Sequence, residues 1–242
     1  MRYELYYWPG IQGRGEFIRL ALEEAGADYV DVARRSERNG FGMPAMIELL
    51  EGEEVICPPF APPFLKAGNQ LIGQTANILL FLGPRHDLAP TDETGRLWVH
   101  QLQLTIADFV GEAHDTHHPI SGSLYYKDQK PEALRRAADF TGARMPKYLG
   151  YFESVLARNP KGSEWLAGDA LSYADLSMFQ VMAGLHYAFP RAMKRLQSEY
   201  PLLLALHDRV AARPRIASYL KSARRQPFNQ EGIFRHYKEL DA

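Results

Sequence analysis

Between Ala61 and Ile78 the sequence runs Ala-Pro-Pro-Phe-Leu, turns at Gly68-Asn69, continues through Leu71-Ile72-Gly73 and enters Gln74-Thr75-Ala76-Asn77-Ile78. An X-Pro bond favours trans by only about 0.5 to 1 kcal/mol, so Pro62 or Pro63 can be cis and offer backbone polar groups to a peptide-like ligand instead of a sheet partner. A helix is predicted from Thr75, its N-cap, to a stop at Gly83. Its first turn has unpaired N–H groups and a positive dipole end, which suit a carboxylate. The two features together suit a peptide with an acidic end.

A second chemical group is His114-Asp115-Thr116-His117-His118. His114 and His118 are one helical turn apart and could share a cation, with the spacing of a His-Glu-x-x-His motif but Asp in place of Glu. No third ligand follows and Pro119 ends the segment, so the reading is no metal. The helix end then lines a pocket with Trp8 or is solvated.

The elements that must position these groups follow from periodicity. Tyr3 to Tyr7 alternate, with Tyr3, Leu5 and Tyr7 on one face and Glu4 and Tyr6 on the other, which predicts a strand broken by Pro9-Gly10. From Arg14 to Ala25, the residues Phe17, Leu20, Ala21 and Ala25 have helical spacing, Arg19 and Glu23 can pair, and Gly26 is placed to end the helix. Tyr29 to Val32 reads as the next strand. Residues 33–60 are less regular, with a helix around Ala45 to Leu50 between Arg34, Arg35 and Arg38 on one side and Glu51, Glu53 and Glu54 on the other. Strand, helix, strand, proline hairpin and helix is the order of an α/β thioredoxin-like domain.

Breakers from Gly83-Pro84 to Ala89-Pro90 read as a linker, after which strand signals give way to long helical patterns. Helices are predicted over Asp92 to Thr116, over Pro131 to Leu156 with a kink or break at Pro146, from Ser172 onward, over Pro201 to Ala212, and briefly around Ile216 to Leu220. The expected organisation is residues 1–84 as the first domain, 85–91 as linker and 92–242 as an all-helical bundle. Ser172-Tyr173-Ala174-Asp175 has the form of a capping box at a core helix.

The Pro63 strand and the Gln74-Thr75 pair, twelve residues on, resemble the cytosolic glutathione S-transferases. In that family a cis-proline strand and a Gln/Glu-Ser/Thr pair at a helix start bind the tripeptide glutathione. Leu166-Ala167-Gly168-Asp169 followed by Ser172-x-x-Asp175 resembles the family's helical capping motif, and Tyr3-x-Leu5-x-Tyr7-Trp8 resembles its tyrosine classes, alpha, mu, pi and sigma. The resemblance implies glutathione as co-substrate and a thiolate as nucleophile, with Tyr7, or the adjacent Tyr6, as the hydroxyl donor to sulfur. Trp8, Arg14 of Gly13-Arg14-Gly15-Glu16, Pro62, Pro63, Gln74 and Thr75 are the implied glutathione-binding residues. Ile106-Ala107-Asp108, followed by Glu112, resembles the segment whose carboxylate reaches a ligand across a homodimer, which implies Asp108 and a second copy of the chain. Arg34, Arg35 and Arg38 are left as candidates for the glycine carboxylate.

Composition fits this picture. The chain has 46% apolar and 24% charged residues and a formal net charge of −1, without a long basic run, which argues against a nucleic-acid or membrane footprint. The paired arginines at 34–35, 135–136 and 224–225 read as solvated surface. No window approaches the roughly 20 apolar residues of a membrane span, and the amino terminus lacks a signal-peptide pattern, so the expectation is a cytoplasmic protein. The single Cys57 excludes an intrachain disulfide and reads as a small buried or half-buried hydrophobe. A transferase acting on a small apolar electrophile, a glutathione-dependent isomerase or ether-cleaving enzyme, and a non-catalytic ligand- or protein-binding member of the fold all remain compatible with these residues.

Overall fold

The computed structural model describes residues 2–53 and 55–241, so Met1, Glu54 and Ala242 lie outside it. Four strands form one sheet: β1 (Tyr3–Tyr6), β2 (Tyr29–Asp31), β3 (Phe64–Ala67) and β4 (Gln70–Gly73), in the order β2-β1-β3-β4. β2 runs parallel to β1, whereas β3 is antiparallel to both β1 and β4. The parallel pair needs a crossover, supplied by α1 (Gly15–Ala25), and the antiparallel pair needs only the tight turn at Gly68.

Alternation along β1 divides its side chains between two packed faces. Tyr3 and Leu5 meet Ile18 and Leu22 of α1 and Ile78 and Leu82 of α3 (Thr75–Leu82). Tyr6 faces the other way, onto Val30, Phe64 and Met46, the last from α2 (Gly42–Glu51). Because both faces are covered, a slip of one residue would exchange the two sets, and the register is therefore strongly specified. β1 ends at Tyr6 and β2 at Asp31, each one residue short of the expected strand; a 3₁₀ turn over Val32–Arg34 follows β2.

The rest of the chain is helical: α4 (Glu93–Asp115), α5 (Lys130–Asp139), α6 (Met145–Arg158), α7 (Tyr173–Ala188), α8 (Pro190–Leu196), α9 (Pro201–Ala211) and α10 (Pro214–Leu220). Asp92 caps α4 by accepting from the Gly95 N–H at 2.8 Å. The helix expected over Pro131 to Leu156 is divided by a π-helical turn at Phe140–Arg144, just before Pro146. Proline has no N–H, so the preceding ladder cannot continue regularly, and the wider i→i+5 turn takes up the mismatch. α8 was not expected: seven residues are too few to display a helical period.

α7 is buried on nearly every side, between α1, α4 and α9. Its start is held as the capping box requires. The Asp175 carboxylate accepts from the Ser172 N–H, the Ser172 hydroxyl and the Leu166 N–H, each at 2.7 Å. Among the described residues no helix is long and apolar enough to cross a membrane.

Glu112 ties α4 to its neighbours, accepting from Arg144, from Tyr148 of α6 and from Arg136 of α5. Chiefly through the Arg144 hydrogen bonds, its carboxyl is pulled down to about 2. A folded-state pKa below the unfolded value adds stability that is present above the unfolded pKa and is lost as pH falls through the folded one. In urea-unfolding series between about pH 5 and 2, Glu112→Gln should therefore flatten this acid-induced decline relative to the wild type. An unchanged pH slope would remove Glu112 from the account of acid stability.

Candidate functional site

The strand register gathers the sequence-predicted residues at one end of the sheet. Tyr6 pairs with Phe64 and Phe64 with Gly73, so Tyr7 leaves β1 where Pro63 enters β3 and where Gln74-Thr75 leaves β4. From β1 to β4 is two strand spacings, about 10 Å. An extended tripeptide, at about 3.3 Å per residue, spans the same length.

Tyr7 is buried, 4% exposed, and its hydroxyl oxygen accepts from the Arg14 N–H at 2.8 Å. That bond occupies an acceptor position and leaves the phenolic hydrogen to be donated. Burial raises the Tyr7 pKa, opposed by the Arg14 N–H and by the Arg14 and Arg19 charges, so the hydroxyl stays protonated at neutral pH. Tyr6 is differently placed. Its hydroxyl donates to Glu4 at 2.6 Å, its ring stacks on Phe64, and burial followed by Glu4 raises its pKa.

The loop between Tyr7 and Arg14 is shaped by glycine. Gly13 has φ +47°, and a Cβ there would overlap the Tyr7 hydroxyl; one on Gly15 would lie 2.6 Å from the Tyr7 ring. The bare backbone of both residues thus forms the seat of the ring.

Beneath the loop lies a buried ionic network that sequence pattern alone did not disclose. Arg19, expected to pair with Glu23, instead turns inward and donates to Asp31 at 2.6 Å, to Glu16 at 3.2 Å and to the Gln12 carbonyl at 3.2 Å. Its guanidinium lies 5.8 Å from the Tyr7 ring centroid. Glu16 also accepts from the Tyr219 hydroxyl and from Arg225, while Gln180 of α7 donates to Gln12 Oε1. Glu23 pairs with Arg224 instead. Helical spacing showed that Arg19 and Glu16 lie on a largely apolar helix, which was the available signal; the partners come from far along the chain.

At the opposite edge, the peptide bond between Pro62 and Pro63 is cis and Pro63 is buried. Pro62 retains a carbonyl acceptor and has no N–H to donate. Thr75 is the first helical residue, not the N-cap: the cap position belongs to Gln74, at φ 68°, without a side-chain capping bond. The positive φ of Gln74 turns the chain sharply out of β4, so the helix starts one residue earlier than a Thr cap would give. The Thr75 hydroxyl is buried without a protein partner, and Gln74 is exposed beside it.

The remaining sequence-predicted residues are less closely engaged. Trp8 is 39% exposed, and the Arg14 side chain is exposed although its N–H is at the site. Asp108 lies on the exposed face of α4. Arg34 is held by Asp31 and the carbonyls of Ala223 and Arg224, whereas Arg35 and Arg38 are exposed. Three readings need correction. Cys57 is exposed, in the irregular segment between α2 and β3; Arg225 and Arg34 are network members and not solvated surface; and the third histidine near His114 and His118 is His117, which is buried. In the tail, Phe228 stacks on Tyr187, Phe234 packs over Gly184 and Tyr237 stacks on Tyr126.

Gly13→Ala should displace the Tyr7 hydroxyl from the Arg14 N–H. The expected result is a Tyr7 whose titration differs from wild type, together with a lowered unfolding midpoint from the strain of a side chain at φ +47°. An unaltered Tyr7 titration would show that the loop accommodates a side chain at residue 13.

A family model described as the C-terminal domain of glutathione S-transferase matches residues 114–223. A Plasmodium falciparum glutathione S-transferase is 24% identical over 221 residues, covering 89% of this chain and 93% of its own. A Xenopus laevis glutathione S-transferase P 1 is 27% identical, with 91% and 92% covered. Among solved structures, the Pi-class glutathione S-transferase of Onchocerca volvulus superimposes with a TM-score of 0.70 at 22% identity, covering 91% of this chain and 93% of that one. The rat hPGDS, in complex with a quinoline, gives 0.69 at 20% identity, with 95% and 100% covered. These two structural likenesses concern the fold.

Proposed function

Since the chain belongs to the glutathione S-transferase family, we propose that it ionises the thiol of glutathione at Tyr7 and directs the thiolate at a small apolar electrophile. The observation that carries this reading is the Tyr7 hydroxyl, buried, supplied with a hydrogen bond by the Arg14 N–H and left with its own hydrogen to give.

A free cysteine thiol has a pKa of about 8.5 and is only a few per cent ionised at neutral pH. Lowering that value by about two units takes roughly 2.7 kcal/mol of differential stabilisation. One hydrogen bond to a charged group contributes about 1.5 to 3 kcal/mol, so the Tyr7 donor can supply most of it. In this reading the N–H groups at the start of α3 and the unpartnered Thr75 hydroxyl hold the γ-glutamyl carboxylate, with Gln74 beside them. The Pro62 carbonyl accepts from the ligand backbone, and Trp8 and Arg14 border the sulfur end. The thiol proton passes to water, and the thiolate forms a carbon–sulfur bond with the electrophile as the electron pair of the bond broken at that carbon leaves with the displaced group or, where the thiolate adds to a double bond, takes up a proton from water.

The proposal extends to a cytoplasmic detoxification enzyme with two domains, at residues 1–84 and 92–242, acting as a homodimer. Phe60 and Ile56, 94% and 96% exposed, and Leu97, Leu104 and Leu134 on α4 and α5 are apolar groups that a second copy would cover. Asp108 shares the exposed side of α4 and would face the partner's ligand. Sedimentation equilibrium should give a dimer and Phe60→Asp a shift towards monomer; a monomeric wild type at micromolar concentration overturns this part.

The enzymatic reading is tested by titrating the protein with glutathione while following heat and thiolate absorbance from about pH 5 to 9. Wild type should bind with a thiol pKa clearly below the free value. Tyr7→Phe should still bind, with that pKa returned towards about 8.5 and conjugation of a model electrophile lowered at least tenfold. Equal thiol pKa and rate in the two proteins would remove Tyr7 from the chemistry. Binding by wild type without any shift would favour a non-catalytic binding protein, the reading supported by the missing N–H at Pro62.

A further inference from the structure

The end of α4 and the turn after it carry three imidazoles that the reaction above does not use. His114, His117 and His118 each place a ring nitrogen within 4.8 Å of the other two. Their ring centroids are 5.1, 5.0 and 4.7 Å apart.

The hydrogen bonds around these rings decide which nitrogens have lone pairs. His117 is buried, and its Nε2 lies 2.7 Å from the Ile233 carbonyl oxygen. A carbonyl only accepts, so Nε2 carries the hydrogen and Nδ1 carries the lone pair. That Nδ1 faces His118 Nδ1 at 2.5 Å, so the hydrogen between them belongs to His118 Nδ1 and His118 Nε2 keeps its lone pair. His114 Nδ1 lies 3.3 Å from the Asp115 carboxylate, which favours a donor at Nδ1 and leaves Nε2 as the acceptor. A backbone carbonyl on one histidine and a carboxylate on another are the outer partners that orient metal-binding imidazoles and make them more basic.

We propose that His114, His117 and His118 form a site for a divalent transition cation of the zinc and copper class, with a remaining coordination position open to water. Three neutral imidazoles and an open position are a ligand set used by zinc, and nitrogen donors of this kind also suit copper(II) and nickel(II). Magnesium and calcium, which take oxygen ligands, should not compete. Metal–nitrogen distances of about 2.0–2.1 Å place ligand atoms about 3.3 Å apart in a tetrahedron. The present separations straddle that value, and His114 and His118, half-exposed at a helix end, can close or open the set by rotating their rings.

Arg235 opposes a cation here, since its charge is felt by all three histidines. Its guanidinium is bonded to the carbonyls of Gly232 and Glu231, which keeps it in place. Asp115 acts in the opposite sense on His114 and His118. Because the Ile233 carbonyl is part of the outer shell, an occupied site would also fasten the carboxy-terminal tail to the end of α4.

The test uses the full chain without a polyhistidine tag, treated with chelator and then dialysed. Calorimetric titration with zinc sulfate should give one ion per chain, and copper(II) electron paramagnetic resonance should show coordination by several nitrogens. His114→Ala and His118→Ala, both at half-exposed positions, should each weaken zinc binding more than about 100-fold, beyond the loss expected for an outer-shell partner. His207→Ala, a half-exposed histidine beside Asp208, should leave it unchanged. Circular dichroism melts verify that the variants are folded. Absence of stoichiometric zinc binding overturns the proposal, and so does binding retained in both His114→Ala and His118→Ala.

Discussion

The enclosed pairing of Arg19 with Glu16 and Asp31 is the constraint around which the site is assembled. Arg19 and Glu16 have fully buried side chains, and Arg225, at 11% exposure, supplies the second positive charge. Removing charges from water costs several kcal/mol per ion unless geometry and further hydrogen bonds compensate. Here they come from the Gln12 carbonyl and the Tyr219 hydroxyl. The balance holds only if α1, the end of β2, the Gln12 loop, α7, α10 and the tail meet at one place. The same meeting fixes the backbone that presents the Arg14 N–H to Tyr7, so an interaction remote from any ligand determines where the phenol points.

How much of this could be read in advance depended on how local each cause was. The β3–β4 hairpin, the stop at Gly83 and the Ser172 capping box were legible because turn residues, breakers and cap residues act within a few positions of themselves. Asp92 as the start of α4 was legible for the same reason. The inward turn of Arg19 was not, since Arg225 and Tyr219 are some two hundred residues away and an exposed partner at Glu23 satisfied the local pattern equally well. A threonine before an apolar run looks like a cap, which sets the first helical residue at Ala76, one position late; the positive φ that makes Gln74 the cap is unusual for a non-glycine residue. His117 stands at i+3 from His114 and shares a helical face with His118 at i+4, so this ligand was open to a spacing argument; only positions beyond His118, where Pro119 ends the segment, were weighed for the third ligand.

The choice between Tyr6 and Tyr7 shows what the structure adds to pattern. Adjacent strand residues point to opposite faces, so one tyrosine had to be spent on the α2 side of the sheet. Register with β3 assigns that role to Tyr6, whose hydroxyl is consumed by Glu4. Tyr7, beyond the last paired residue, is free to lean on the glycines of the following loop. Chemistry at this position depends on the tyrosine and equally on the strand stopping one residue before it.

The π-helical turn between α5 and α6 bears on chain length. Buried apolar positions run 133, 137 and 140 on one side of it and 145, 149, 152, 155 and 156 on the other, so each half keeps a helical rhythm while the apolar step across the turn is five residues long and the buried residue within it is the polar Thr141. One residue has in effect been inserted into an otherwise continuous apolar stripe, and the helix absorbs it as a local bulge instead of rotating α6 out of the core. Loss of a single residue between Phe140 and Arg144 would restore the uninterrupted rhythm. The interior of this helix thus takes up an irregularity of chain length that is usually confined to surface loops.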